Sequence, residues 1–290
     1  MQQKRALVLS GGGSKGAFQA GALKHLLYSL GLYYDIICGV SVGAINAIHI
    51  AQYKKGEERK CAEDMLKLWG SFNQKDIYKR WFPFGILHAA WQPALYNSAP
   101  LRQFLEEHID INKIHGSGRE LRFGTVSLDT GNYRLYDESS SDLIGACYNS
   151  ASFPVAFMPT VMDGELQTDG GVRNVTPLGA AINAGATDID VIMTSPENPK
   201  YGPLKDPNVI DVAPRIIDIM SDEIVRCDLV IAELINKLVI AGASDKKVIN
   251  IRVIRPGAVL IENSLDFAHE KIEEMIKIGY EAAKTQLPQN

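Results

Sequence analysis

The sequence has few of the features that announce a function. Four cysteines, Cys38, Cys61, Cys147 and Cys227, are scattered without a CxxC pair. A disulfide framework or zinc site is therefore not expected, and a reduced compartment is the default. No stretch approaches the roughly 18 apolar residues of a membrane span. The apolar run after Lys4-Arg5 ends at glycines, too short for a signal-peptide core, so a cytoplasmic protein is expected. Basic residues give no surplus: the formal net charge is −4. That argues against a nucleic-acid footprint. There is no internal repeat and no low-complexity segment. The six histidines, His25, His49, His88, His108, His115 and His269, do not mark a catalytic position. His25 and His269 fall in helical patterns, and His49 lies about two turns into a helix, turned away from its start. His108 and His115 flank a turn; only His88, in an irregular stretch, could swing into a cleft.

What remains is an ordinary globular mix, 46% hydrophobic and 22% charged over 290 residues. Apolar runs alternate with helical patterns from end to end, which predicts a layered α/β fold. Strands are expected at 5–10, 35–40, 188–194 and 247–254. Helices are expected at 15–30, after Ser41, and at 57–70, 98–108, 141–149, 177–184, 211–241 and 264–283. Hairpins are expected around Asp129-Thr130-Gly131-Asn132 and Asp163-Gly164. Segment 81–96, with Trp81 and Trp91, reads as core packing or as a lipid-facing lip; Lys75, Lys79 and Arg80 precede it.

Two glycine-rich turns organise the chain, each after a buried strand and before a helix. The first is Ser10-Gly11-Gly12-Gly13-Ser14-Lys15-Gly16, after Ala6-Leu7-Val8-Leu9. The second is Gly39-Val40-Ser41-Val42-Gly43, after Ile36-Ile37-Cys38. In a parallel sheet such turns lie side by side at the carboxyl edge, where ligands bind. Gly39 and Gly43 make room for a sharp turn that thrusts Ser41 Oγ out of the sheet. The plainer reading is that Ser41 is a helix N-cap.

Gly11-Gly12-Gly13 has three readings. Gly11-x-Gly13-x-x-Gly16 with Asp35 about 20 residues on is formally a dinucleotide fingerprint. Asp35, however, precedes the second strand instead of ending it. A phosphate loop fails because Ala17 stands where Lys must follow Gly16. The third reading is an oxyanion hole of consecutive N–H groups, and only that one also uses Ser41. Downstream, Asp169-Gly170-Gly171 offers a carboxylate in a tight turn. Alone it would be an ordinary turn; it gains weight because a serine nucleophile needs a base. Asp129-Thr130-Gly131 matches an aspartic-protease triplet, but a hairpin turn explains it. Cys38, at a strand end, reads as a small buried residue or as a thiol nucleophile.

Three signatures thus occur in one order: Gly-Gly-Gly-x-Lys-Gly at 11–16, Gly-x-Ser-x-Gly at 39–43 and Asp-Gly-Gly at 169–171. Between the last two lies Ala151-Ser152-Phe153-Pro154-Val155-Ala156-Phe157-Met158-Pro159. The chain resembles the patatin-like phospholipases, Ser–Asp acyl hydrolases, over about residues 5–195. The resemblance implies a three-layer α/β/α fold with a mostly parallel sheet, and lipid acyl esters as substrates. It implies Ser41 as nucleophile, Asp169 as base, and Gly11, Gly12 and Gly13 as the oxyanion hole. Lys15, Gly16, Gly39, Gly43, Gly170 and Gly171 would support these turns, and Pro154 and Pro159 match a structural block. Val155-Ala156-Phe157-Met158 departs from the commonest pattern, which bears on the acyl pocket.

The expectation is one domain over 1–290, its C-terminal third helical with one further strand. No metal or cofactor is expected. The partner would be a lipid or acyl-ester substrate met by transient contact with a membrane surface. Ser41 and Asp169 should hydrogen-bond directly, with no imidazole between them. The acid limb of the pH profile should then report the carboxylate, below the histidine range unless burial near the site raises Asp169. A dinucleotide-binding protein and a catalytically silent lipid-binding module remain the alternatives.

Overall fold

The computed structural model describes residues 3–81, 91–204, 209–243 and 248–288. The fully apolar run predicts a first strand, and β1 is Lys4–Leu9. Its neighbours β2 (Ile36–Gly39), β7 (Ala186–Ile192) and β8 (Asn250–Ile254) run parallel to it in the order β2-β1-β7-β8. Both faces of β1 and β2 are covered, which is why residues 6–9 and 36–38 read as continuous apolar runs, whereas β7 and β8 carry Asp188, Asp190 and Arg252 among their apolar residues. Leu7, Leu9 and Ile37 point into one helical layer, while Ala6, Val8, Ile36 and Cys38 point into the other. The first layer holds α1 (Gly16–Leu23), α2 (Val42–Ala51), α3 (Glu58–Ser71), α5 (Ala99–His108), α7 (Leu143–Ser150) and α10 (His269–Gln286). The second holds α8 (Leu178–Asn183) and the long α9 (Val209–Ile240). The fold is the expected three-layer α/β/α arrangement around a mostly parallel sheet.

Most elements lie where the apolar spacing puts them. Two short helices went unpredicted, α4 (Gln74–Ile77) and α6 (Ile111–Ser117). Each is too short to show a period and depends on its cap: Asn73 and Asp76 form a capping box, and Asp110 accepts from Asn112 and Lys113. The first helix is not regular over 15–30, since it widens into a π-helical turn at Lys24–Ser29. The last helix begins five residues later than expected. Asn263 and Asp266 engage the backbone N–H groups of Leu265 and Ala268, so the chain turns locally before it can wind.

The second half of the sheet positions the site. β3 (Glu120–Ser127) pairs with β2 through residues 120–123 and with β4 (Tyr133–Asp137) through residues 122–126. β6 (Glu165–Asp169) is antiparallel to β3 and pairs with residues 125–127. Arg122 and Phe123 face β2 on one edge and β4 on the other; Thr125 and Val126 face β6 and β4. Hence β6 occupies the same edge of β3 that β2 leaves at Gly39. The two strands approach end to end, and Asp169 finishes where the turn after β2 begins. β5 (Thr160–Met162) closes this edge through the expected Asp163-Gly164 hairpin. Both turn residues have positive φ, 54° and 78°, as a two-residue hairpin turn requires.

The C-terminal third joins this same sheet through β8 and the first layer through α10. Glycines let α10 lie close on α1: a Cβ on Gly21 would strike the Ile276 carbonyl, and one on Gly279 the Phe18 carbonyl.

Candidate active site

Ser41 is buried to 7% exposure and adopts φ 58°, ψ −129°, a conformation strained for a residue with a Cβ. The strain holds because the turn is built by close approach. A Cβ on Gly39 would collide with the backbone of Gly43, and one on Gly43 with the Leu9 carbonyl. The Ser41 N–H donates to Ser150 Oγ at 3.2 Å. Its side chain makes no capping hydrogen bond to α2, although Ser41 occupies the N-cap position. The N-cap reading is thereby overturned: the hydroxyl is directed elsewhere.

The first glycine loop folds beside it. Gly12 (φ 152°) and Gly13 (φ 58°) occupy the positive-φ region that favours glycine. A Cβ on Gly12 would meet the Thr194 side chain, and one on Gly13 the Ser264 carbonyl. The three N–H groups are not equivalent, and this corrects the expectation for Gly11. Its N–H is committed to the Val175 carbonyl at 3.0 Å. Neither Gly12 N–H nor Gly13 N–H has an acceptor within the described residues. Gly16 serves packing, since a Cβ there would strike Val42 and Trp69.

Asp169 is 2% exposed. Its N–H donates to the Ser152 carbonyl at 3.2 Å, so the 151–159 block anchors the end of β6. Oδ1 accepts the Gly171 N–H at 2.7 Å, and Oδ2 is buried without a formed hydrogen bond. Gly170 fits because its α-hydrogen faces the Gly124 carbonyl, where a Cβ would not. Burial pushes the Asp169 carboxyl up to about 7; the nearby Ser41 hydroxyl and the Gly171 N–H act in the opposite direction. The expected Ser41–Asp169 hydrogen bond is thus an approach of the two groups and not a completed bond. A carboxyl near 7 is the burial-raised case of the expected acid limb, and it would put that limb in the histidine range.

No histidine among the described residues lines the space around Ser41. His25 Nε2 engages the Leu287 carbonyl, His108 stacks on Phe104, and His115 engages the Glu138 carbonyl. His49 is held low, at about 4, by burial. His88 lies outside the described residues. Cys38 is buried and its thiol is pushed up to about 12 by burial, so it is the inert residue of the plainer reading. Asp129 caps the Leu166 N–H at 2.7 Å inside the β3–β4 turn region, a structural role. Asp35 accepts the Arg5 N–H at the amino end of β2, the end remote from the glycine loop. That arrangement removes the ribose-binding acid from the dinucleotide reading. No group of metal ligands occurs among the described residues.

Two cavities meet at Ser41 and share Phe153. One is apolar, walled by Val42, Ile45, Trp69, Phe72, Leu101 and Phe157. The other holds Asp169, Lys15, Thr194, Asp218, Ser221 and Asp222. Phe157, from the departing part of the 151–159 block, lines the apolar side. Lys15 is 7% exposed, and its Nζ lies 3.3 Å from Asp218 Oδ1 on α9. The α9 wall was missed from sequence. An acid on the inner face of an amphipathic helix was the only available signal, and it does not name its partner. Of the aromatic stretch, Trp81 is half-buried with Nε1 bonded to the Ala94 carbonyl, while Trp91 is 88% exposed. Residues 82–90 of that stretch lie outside the described residues. No helix among the described residues is long and apolar enough to cross a membrane.

Several known proteins are similar to this chain. The chain is 28% identical over 177 residues to a cGAMP-activated phospholipase of Escherichia coli (strain TW11681), covering 53% of this chain and 48% of that protein. It is 27% identical over 180 residues to the cGAMP-activated phospholipase of Vibrio cholerae, covering 54% and 50%. The chain therefore spans about half the length of these relatives. Among solved structures, VipD from Legionella pneumophila aligns with a TM-score of 0.48 at 13% identity, over 99% of this chain and 67% of that one. ExoU in complex with SpcU from Pseudomonas aeruginosa aligns with a TM-score of 0.34 at 14% identity, over 99% and 53%. The family model described as patatin-like phospholipase matches residues 7–182, more than half of the sequence, and the chain belongs to that family.

Proposed function

We propose that the protein is a serine acyl hydrolase that cleaves carboxylic esters of lipids through a Ser41–Asp169 dyad. One observation carries the reading. A strained, uncapped serine hydroxyl stands beside a buried carboxyl held near neutrality, at the mouth of an apolar cavity. Structural serines cap helices; this one does not.

In the proposed reaction the ionised Asp169 takes the Ser41 proton as Oγ bonds to the ester carbonyl carbon. The oxyanion that forms is met by the N–H groups of Gly12 and Gly13, which have no other acceptor among the described residues. The tetrahedral species collapses, the carbon–oxygen bond to the alcohol breaks, and the alcohol leaves with the proton from Asp169. Water then attacks the acyl-serine. Asp169 takes its proton and returns it to Ser41 Oγ as the acyl–oxygen bond breaks, and the fatty acid and free Ser41 result. The apolar cavity suits the acyl chain, and the cavity holding Lys15, Asp218 and Asp222 suits the alcohol portion. Such a substrate is met at a membrane surface, where exposed Trp91 is available for contact.

The test is covalent labelling with a fluorophosphonate. The wild-type chain should be labelled and hydrolyse short and long acyl esters, and a folded Ser41→Ala variant should do neither. A thermal shift with a dinucleotide but no labelling would favour the cofactor-binding alternative. Lipid binding without labelling or hydrolysis would leave a silent lipid-binding module.

A further inference from the structure

Helix α9 buries one side and leaves an apolar stripe on the other. Its inner side packs Leu229 and Ala232 against the second core and turns Asp218, Ser221 and Asp222 to the Ser41 cavity, with Ile224 at the border of the stripe. Its outer face presents Ile216, Met220, Val230, Ile231, Leu234 and Leu238, each between 43% and 58% exposed. A surface helix normally turns charge to water on that side, and a helix apolar all round is normally covered. We propose that the outer face of α9 is covered by the same face of a second copy of this chain, the two helices running antiparallel about a two-fold axis at Cys227.

The spacing of the stripe points to this occupant. Positions 216, 220, 223, 227, 231, 234 and 238 lie on one helical face, and their steps read the same in both directions from Cys227. An antiparallel two-fold pairing sets Ile216 against Leu238 of the other copy, Met220 against Leu234, Glu223 (paired to Arg226 in its own helix) against Ile231, and Cys227 against Cys227. The surface is self-complementary, as an isologous dimer requires. The area is also sufficient. Half-exposed side chains of this size, with Ile219 and Cys227, offer on the order of 700 Å² per copy, against about 800 Å² per partner in a stable interface.

Charge argues against a membrane as the occupant. Within 209–240, Asp211, Asp218, Asp222, Glu223, Asp228 and Glu233 outnumber Arg215, Arg226 and Lys237. A helix that lies on a lipid surface carries the opposite excess. The one charge inside the stripe, Glu223, is already neutralised by Arg226, with contacts of 2.6 and 3.0 Å. The pairing also has a consequence for the site. The inner side of the same helix carries Asp218 to Lys15 and walls the Ser41 cavity. A dimer through α9 would hold that wall in place in both copies.

Sedimentation velocity of the full chain over a concentration series, together with thiol cross-linking, tests the proposal. Cys38, Cys61 and Cys147 are buried and Cys227 is exposed, so a bifunctional reagent reads that one position. Facing Cα atoms on helices packed 8–10 Å apart lie about 4–6 Å from one another, within reach of dibromobimane. The expected result is a dimer at micromolar concentration that becomes a fluorescent covalent dimer. Cys227→Ser should keep the dimer mass and lose the cross-link. Val230→Arg/Leu234→Arg, on the exposed face, should raise the dimer dissociation constant at least 100-fold with unchanged circular dichroism. Should that variant misfold, Leu238→Glu reads the same pairing, with a smaller rise. A wild-type monomer at all concentrations would overturn the proposal. So would a dimer that Val230→Arg/Leu234→Arg leaves intact, or a dimer that dibromobimane does not link. A monomer that sediments with anionic vesicles, and loses them in the same variant, would give the face to a membrane instead.

Discussion

The two walls around Ser41 are built by different rules. One is backbone: the ends of β1, β2 and β6, bent into glycine turns whose fit is set by contacts a Cβ would violate. The other is side chain: α9 reaches in with Asp218, Ser221 and Asp222, and the Asp218–Lys15 ion pair ties it to the site. The first wall tolerates almost no substitution because its atoms have nowhere to go. The second depends on where a long helix lands, and its residues are interchangeable in kind. The backbone wall should therefore govern the chemistry, and the helix wall should govern which ester is preferred.

The largest effect expected is at Asp169. Asp169→Asn removes the base and should lower kcat by about 10⁴ or more, as loss of a catalytic base does elsewhere. The same variant should be more stable above neutrality. Below about pH 4 the carboxyl is protonated in folded and unfolded chains alike, and its burial carries no pH-dependent cost. Between pH 4 and 7 the folded chain keeps a proton that the unfolded chain has released, so stability falls as pH rises. Above about 7 the full cost stands, on the order of 4 kcal/mol for a shift from 3.8 to about 7. Asp169→Asn should thus raise Tm at pH 8 and lose that advantage at pH 4. Melting curves of both proteins at the two pH values check it. A dead but less stable variant at pH 8 would mean that the carboxylate is held by bonds this structure lacks.

Next is the loop. Gly12→Ala introduces a Cβ at φ 152° against Thr194, so the N–H aimed at the oxyanion must move. Turnover should fall by about 10²–10³ with a smaller change in KM. Gly11, whose N–H is already committed to Val175, tests the distinction within the loop. A Cβ there meets Ser41 Cβ at 3.2 Å, a crowding a small shift can relieve. Gly11→Ala should be the milder variant by at least tenfold, and equal losses would return Gly11 to the oxyanion hole.

A smaller effect separates pH behaviour. With the base at about 7, kcat/KM should fall about tenfold per pH unit below neutrality and level off above it. Burial has moved a carboxyl to where histidine ordinarily titrates, so the limb does not distinguish dyad from triad. Substitution does: His25→Gln and His49→Gln should keep this limb, because both imidazoles are committed to the packed interior.

Legibility followed the same division between the walls. The strand–turn–helix units could be read because glycine spacing and unbroken apolar runs are local signals, and the Asp163-Gly164 hairpin followed from two residues that accept positive φ. The meeting of β2 and β6 on one edge of β3 could not be read, since register between strands 130 residues apart leaves no mark in either. The spent N–H of Gly11 depends on Val175, and the Lys15–Asp218 pair spans 203 residues. Such pairings are chosen by packing, and sequence shows only that the partners exist. The position of the acid limb was left open by sequence for a related reason: burial of Asp169 is a property of the assembled turn and not of the Asp-Gly-Gly triplet.

The smallest effect expected is on the helix wall, and it sharpens the comparison most. The cavity on that side holds Lys15 against Asp218, with Asp222 hydrogen-bonded to the Tyr201 hydroxyl. Lys15 is spent on Asp218, so Asp222, together with Asp169 when it is ionised, leaves the cavity with an excess negative charge. An ester whose alcohol carries a phosphate should therefore be held less well there than a neutral one. Asp218→Asn removes one negative charge and frees Lys15 to meet an anion, while the backbone wall is untouched. At an effective dielectric of about 20, a unit charge about 6 Å away contributes a few kcal/mol before screening, and roughly 1 kcal/mol of it should survive in a partly wet cavity. The ratio of kcat/KM for a phosphate-bearing ester over a neutral ester of the same acyl chain should therefore rise about fivefold to tenfold. The rise should shrink as salt is raised from 20 to 500 mM, values chosen to take the screening length from long to short. A fall in both rate constants with an unchanged ratio would mean that Asp218 only holds α9 in place. A changed ratio with near-normal turnover on the neutral ester would show that the two walls act separately, one on the bond and the other on the group that leaves.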